Sequence, residues 1–142
     1  MDIAETFVGV DVSKDRLDVH VHPAGEAFAV ARDAEGLDQL LARLAPFRPV
    51  LVAIEATGGF ETIAAAHLGA AGLPVAVVNP AQVRAFAVAL GKRAKTDPID
   101  ALVIARFAAT ARPQPKPAPD ETLEALGRRW ATWSPAGARS WP

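Results

Sequence analysis

Short apolar runs with strand-like alternation fill the first third of the chain, and stretches of helical period take over further on. Thr6 to Val12 is an apolar run in which Phe7, Gly9 and Asp11 share one face and Val8, Val10 and Val12 the other. The polar turn Ser13-Lys14-Asp15 leads to Leu17-Asp18-Val19-His20-Val21-His22, a strict apolar/polar alternation that predicts a half-exposed, edge-like strand. Pro23-Ala24-Gly25 turns the chain and Ala27 to Ala31 returns it, which makes the opening an antiparallel meander. Asp33 is placed to cap a helix with Leu37, Leu40, Leu41 and Leu44 at helical spacing, ended by Pro46 and Pro49.

The run Val50 to Glu55 predicts the next strand, and the turn Thr57-Gly58-Gly59 leads into a helix with a stripe of Phe60, Ile63, Ala64 and Leu68, stopped by Gly72. Val75 to Val78 reads as a strand buried on both faces, and Asn79-Pro80 opens a helix through Val83, Phe86, Ala87 and Leu90. A last helix is expected to open at Lys95-Thr96-Asp97-Pro98 and run to about Thr110, with Asp97 and Asp100 on the same face as Ile104 and Phe107. Three meander strands followed by alternating strands and helices predict an α/β fold, a mixed sheet with flanking helices in the ribonuclease H-like order. The proline-rich stretch 113–119 marks a boundary after a domain spanning 1–112, and 120–142 reads as a short helix start and an irregular tail.

Composition narrows the function. The 142 residues hold enough apolar side chain (51%) for one core, and a formal net charge of -1 provides no global attraction for nucleic acid, so binding of that kind needs a local patch. The loop containing Lys92, Arg93 and Lys95, with Arg84 before it and Arg106 and Arg112 after it, is such a patch or else a solvated loop. Cysteine is absent, which excludes thiolate ligands and disulfides and suits a reducing cytoplasm. The start of the chain is polar and acidic and no apolar stretch has membrane-spanning length, so no signal peptide or membrane partner is expected.

The chemistry lies in the acids. Asp11 and Glu55 each stand near the end of an apolar strand, with the small residues Gly9 and Ala53 before them on the same face, Gly9 leaving open space beside Asp11. On neighbouring strands the two carboxylates would meet, and like charges that close need a cation or a shared proton. Asp97 and Asp100 would bring the set to four oxygen-donor groups suited to Mg²⁺ or Mn²⁺ at a phosphate. Each acid also has an ordinary role open to it: a turn acid for Asp11, a turn cap for Glu55, and a capped helix start for Asp97, Pro98 and Asp100. His20, His22 and His67 lack metal-ligand spacing and read as structural.

The segments Gly9-Val10-Asp11-Val12-Ser13-Lys14, Ile54-Glu55-Ala56-Thr57-Gly58, Asn79-Pro80 and Lys95-Thr96-Asp97-Pro98-Ile99-Asp100-Ala101, in this order, closely resemble the N-terminal domain of insertion sequence 110 family transposases. The resemblance covers roughly residues 5 to 125. It implies a RuvC-like fold and Asp11, Glu55, Asp97 and Asp100 as a Mg²⁺-binding (or Mn²⁺-binding) DEDD tetrad that takes part in DNA strand cleavage; from the charge of their loop, Lys92, Arg93 and Lys95 are expected to steer the DNA backbone. The resemblance also implies DNA as partner, a structured guide RNA, a homo-oligomer in the full-length form, and a bacterial, nucleoid-associated cytoplasmic location. The family continues into a second domain with a catalytic serine; Ser134 and Ser140 match none of its motifs, and the tail reads as an out-of-frame translation of a GC-rich gene, so a truncated or frameshifted transposase is expected. Two other readings stay open: a nucleic-acid-binding remnant without catalysis, and a RuvC-like metal-dependent nuclease. Sugar kinases and actin-like ATPases share the opening strand and hairpin but add a glycine-rich nucleotide loop and a second domain, both missing here.

Overall fold

The computed structural model describes residues 5–56, 58–91 and 100–115. Its centre is a five-stranded sheet built from β1 (Phe7–Val12), β2 (Arg16–His22), β3 (Glu26–Ala31), β4 (Leu51–Glu55) and β5 (Val75–Val78), in the order β3-β2-β1-β4-β5. β2 is antiparallel to β1 and β3, while β4 and β5 run parallel to β1. The meander accounts for the antiparallel half. The parallel half needs a crossover after each strand, and helices supply it.

Each face of the sheet has its own apolar layer. Val8, Val10, Leu17, Val19, Val21, Val52 and Ile54 point to the face covered by α1 (Ala34–Leu44) and α2 (Glu61–Ala70), where Leu37, Leu40, Leu44 and Leu68 are fully buried. Asp33 caps α1 as its sequence suggests, its side chain accepting from the Gly36 amide at 2.7 Å. Phe7, Leu51, Ala53, Ala76 and Val78 point to the other face, against α3 (Pro80–Ala89) and α4 (Ala101–Ala111), which contribute Val83, Ala87, Ile104 and Phe107. Phe86 and Phe107 meet edge to face at 5.7 Å between ring centroids and join the two helices.

Several expectations change in detail. β2 is not an edge strand, because β3 lies outside it. β5 is buried on both faces only in part, since Val77 is half-exposed at the outside of the described sheet. Phe60 leaves the α2 stripe; it precedes the helix, is exposed, and lies under the Arg32 guanidinium at 4.9 Å from its ring centroid. The described part of the last helix begins at Ala101, with Asp100 in extended backbone as its N-cap. Hence Asp100 stands at a helix entrance and not on a helix face. Ile104 and Phe107 are buried as expected.

Candidate metal centre

Parallel pairing sets Val10 beside Ile54, so the next residue on each strand, Asp11 and Glu55, emerges at the same level and on the same face. On its other side Asp11 is the register partner of Asp18 in β2. α4 runs down this face from Asp100, near Asp11, to Arg112, whose guanidinium lies 5.2 Å from the Phe7 ring centroid. Gly9 is what permits the approach. Sequence suggests open space there, but a Cβ on Gly9 would overlap the Ala101 carbonyl oxygen and the Ala105 amide nitrogen. The missing side chain lets helix backbone lie on strand backbone, which draws Asp100 toward the carboxylate of Asp11.

The electrostatics follow from this crowding. Burial pushes the Asp11 carboxyl up from its ordinary range, the charges of Asp18 and Asp100 push it the same way, and Arg16 opposes them. Glu55, 7% exposed, is likewise raised, first by burial and then by Asp11, with Arg84 of α3 opposing. Desolvation and like-charge repulsion both penalise the ionised pair. Such a pair is poorly matched to water and well matched to a hard divalent cation, which prefers carboxylate oxygens. Among the described residues no group of three or more acid or histidine side chains closes into a metal-ligand cluster. Asp97, the fourth acid of the expected set, lies outside the described residues, as do Lys92, Arg93 and Lys95.

The ordinary roles are largely taken by other residues. Ser13, not Asp11, closes the β1–β2 turn, its hydroxyl donating to the Arg16 carbonyl at 3.0 Å. The turn before α2 is capped by Glu61, which accepts from the Gly59 amide at 3.0 Å. Asp100 keeps a structural duty, since its Oδ1 accepts from the Val103 amide at 3.0 Å. That dual role separates two substitutions. Asp100→Ala should cost about 1 kcal/mol of stability through the lost cap. Asp100→Asn, which still caps a helix, should be close to neutral in a urea titration, and equal costs for the two would refute the capping role.

Arg16 and Asp18, which sequence reading passed over, and His20, which it read as structural, belong to the same neighbourhood. An open cleft of about 600 Å³ is lined by Asp11, Asp100, Arg16, Asp18 and His20, with Ala27 and Ala29 of β3 among its other walls. The signal was available in the hairpin: the Val12–Leu17 pair next to the turn brings 11 opposite 18 and 9 opposite 20. His20 therefore shares the site face near Asp100, and burial, followed by His22, lowers its pKa against the opposing pull of Asp100. Arg112, grouped with the basic loop in sequence, sits at the far pole, where it forms a two-pronged ion pair with Glu5 at 2.8 and 3.0 Å.

A five-stranded mixed sheet with two acids side by side on its central parallel strands is the architecture of a ribonuclease H-like domain. T. thermophilus RuvC, solved in complex with a Holliday junction substrate, matches with a TM-score of 0.54 at 21% identity over 80% of this chain and 100% of that one. The family model for DEDD transposases of insertion sequence 110 matches residues 8–130, and the chain belongs to that family. Pilin gene-inverting proteins of Moraxella lacunata and Moraxella bovis are each 29% identical to it over 133 residues, 87% of this chain. The chain spans 41% of the length of those relatives. Among the described residues no helix is long and apolar enough to cross a membrane.

Proposed function

We propose that this chain is the metal-binding catalytic domain of a DNA recombinase and that Asp11, Glu55, Asp97 and Asp100 together hold Mg²⁺ or Mn²⁺ at a DNA phosphodiester. The observation that carries this reading is the adjacency of Asp11 and Glu55 on paired parallel strands, both raised in pKa by burial and by neighbouring like charge. Asp11 and Glu55 supply fixed ligands from the sheet, and Asp100 supplies one from the mouth of α4. When bound, the ion provides positive charge beside the phosphate under attack. Lys92, Arg93 and Lys95 draw the backbone toward it by charge alone. The inversion of a pilin gene named in the relatives and the junction held by RuvC are both rearrangements of DNA strands, in keeping with DNA as substrate. A guide RNA, a homo-oligomer and a nucleoid-associated cytoplasmic location complete the proposal.

Thermal melting tests the site directly. Saturating Mn²⁺ should raise the melting temperature of the whole chain, because a ligand that prefers the folded state adds about 2.7 kcal/mol at a hundredfold excess over its Kd. Asp11→Asn should abolish that rise. The same substitution should also raise the melting temperature of the metal-free protein, since the ionised form of a carboxyl with raised pKa opposes folding at neutral pH, a penalty that disappears only as pH falls through its folded-state value. An undiminished Mn²⁺ shift in Asp11→Asn would sink the metal assignment.

A further inference from the structure

The cleft beside the acids contains one cation among its described lining residues, Arg16, and the fold holds it in place. Asp18 accepts from Arg16 Nε at 3.2 Å, and the second prong, Arg16 Nη2 to the other carboxylate oxygen, measures 3.1 Å. This pair is exposed, so its contribution to stability lies within about 0–1 kcal/mol. Its position is costly, because Asp18 is the direct cross-strand partner of Asp11 and adds to the repulsion there. What the fork achieves is orientation. With one edge of the guanidinium taken by Asp18, the remaining N–H groups, on a side chain 64% exposed, are left to meet an anion at the cleft.

The rest of the cleft suits an extended strand. Ala27 and Ala29 present small side chains on the outer strand β3, and neither is covered by a helix of the described fold, while Leu102 adds an exposed apolar group at the start of α4. The result is an open cleft beside Asp11, bordered by the Arg16 guanidinium. We propose that Arg16, held by Asp18, is a phosphate anchor that binds the DNA strand on the β2–β3 side of the acids, next to the phosphodiester that they address. The inference rests on the metal-site reading, because Asp11, Asp18 and Asp100 outnumber Arg16 and would repel a phosphate until a divalent cation reverses the balance.

The test uses the whole chain, a short fluorescein-labelled DNA duplex and Mn²⁺, with affinity followed across a salt series. Arg16→Ala should weaken binding roughly tenfold, the loss of one charged hydrogen-bonded contact, and should reduce the slope of log affinity against log salt by about one. Arg16→Lys should restore the slope without the full affinity, and Asp18→Asn should retain the slope. The Mn²⁺ melting shift should survive in all three variants. Wild-type affinity and slope in Arg16→Ala, with the Mn²⁺ shift intact, would overturn the anchor and leave the metal site standing; a lower affinity at unchanged slope would overturn it equally. Absence of the Mn²⁺ shift in the wild-type chain would instead remove the metal site on which the anchor depends.

Discussion

Gly9→Ala is expected to destabilise the chain by about 3 kcal/mol or more, at the upper end of what an added methyl costs in a packed interior. The reason is the identity of the neighbours. A Cβ at this position meets the Ala101 carbonyl oxygen and the Ala105 amide nitrogen, both backbone atoms of α4, which have no rotamer to change. Relief would require the helix to lift from the sheet, and with it Ile104 and Phe107 from their layer against Phe7 and Leu51. Asp100 would move away from Asp11 at the same time, so a surviving folded fraction should also bind Mn²⁺ more weakly. Gly69→Ala in α2 is the control, since nothing lies within 4 Å of its Cβ. Urea titration should find that variant as stable as the wild type or more stable by up to about 1 kcal/mol. A Gly9→Ala protein as stable as the wild type would mean that α4 is not clamped on β1.

Acid should unfold this protein through His67. The imidazole is 5% exposed in α2, and burial lowers its pKa from 6.5 to about 4, with an Asp38 carboxylate oxygen 3.6 Å from Nε2. Because the folded state resists the proton and the unfolded state does not, the stabilising difference is complete above pH 6.5 and disappears as pH falls toward 4. A shift of that size corresponds to about 3 kcal/mol. Asp11 and Glu55 act in the opposite sense, since their raised pKa values favour the folded state as they take up protons. Comparison with His67→Leu separates the two: the stability gap between wild type and variant should narrow or reverse between pH 7 and pH 4 by roughly the same amount. A gap independent of pH would show that His67 accepts its proton without penalty.

Legibility from sequence followed the range of the interactions involved. Leu37, Leu40 and Leu44 announce α1 because helical period is a local property, and Asp33 and Asn79 are visible as caps for the same reason. Asp11 and Glu55 stand out because an acid at the end of an apolar strand is conspicuous in one dimension. What stayed hidden is set by pairing across the fold. Gly9 looked like vacant space because its occupant, α4, lies more than ninety residues further along the chain. Asp18 and His20 read as solvent-facing members of an alternating strand, and only the β1–β2 register turns that face toward the acids. Asp100 sat in a predicted helix, whereas the described helix begins one residue later and makes it the cap. Arg112 was grouped with the basic loop by proximity in sequence, although the length of α4 carries it to the opposite end.

The clasp between Glu5 and Arg112 has a geometric consequence for anything attached to this domain. The chain enters β1 and leaves α4 at one pole of the sheet, and Pro113, Gln114 and Pro115 remain there beside Phe7, Val50 and Leu51. The acids occupy the other pole, four strand residues along from Phe7, a separation of about 13 Å at the usual rise per residue. Residues 113–115 therefore lie at the pole opposite Asp11 and Glu55. A group that starts from that pole has the length of β1 to cross before it meets the acids.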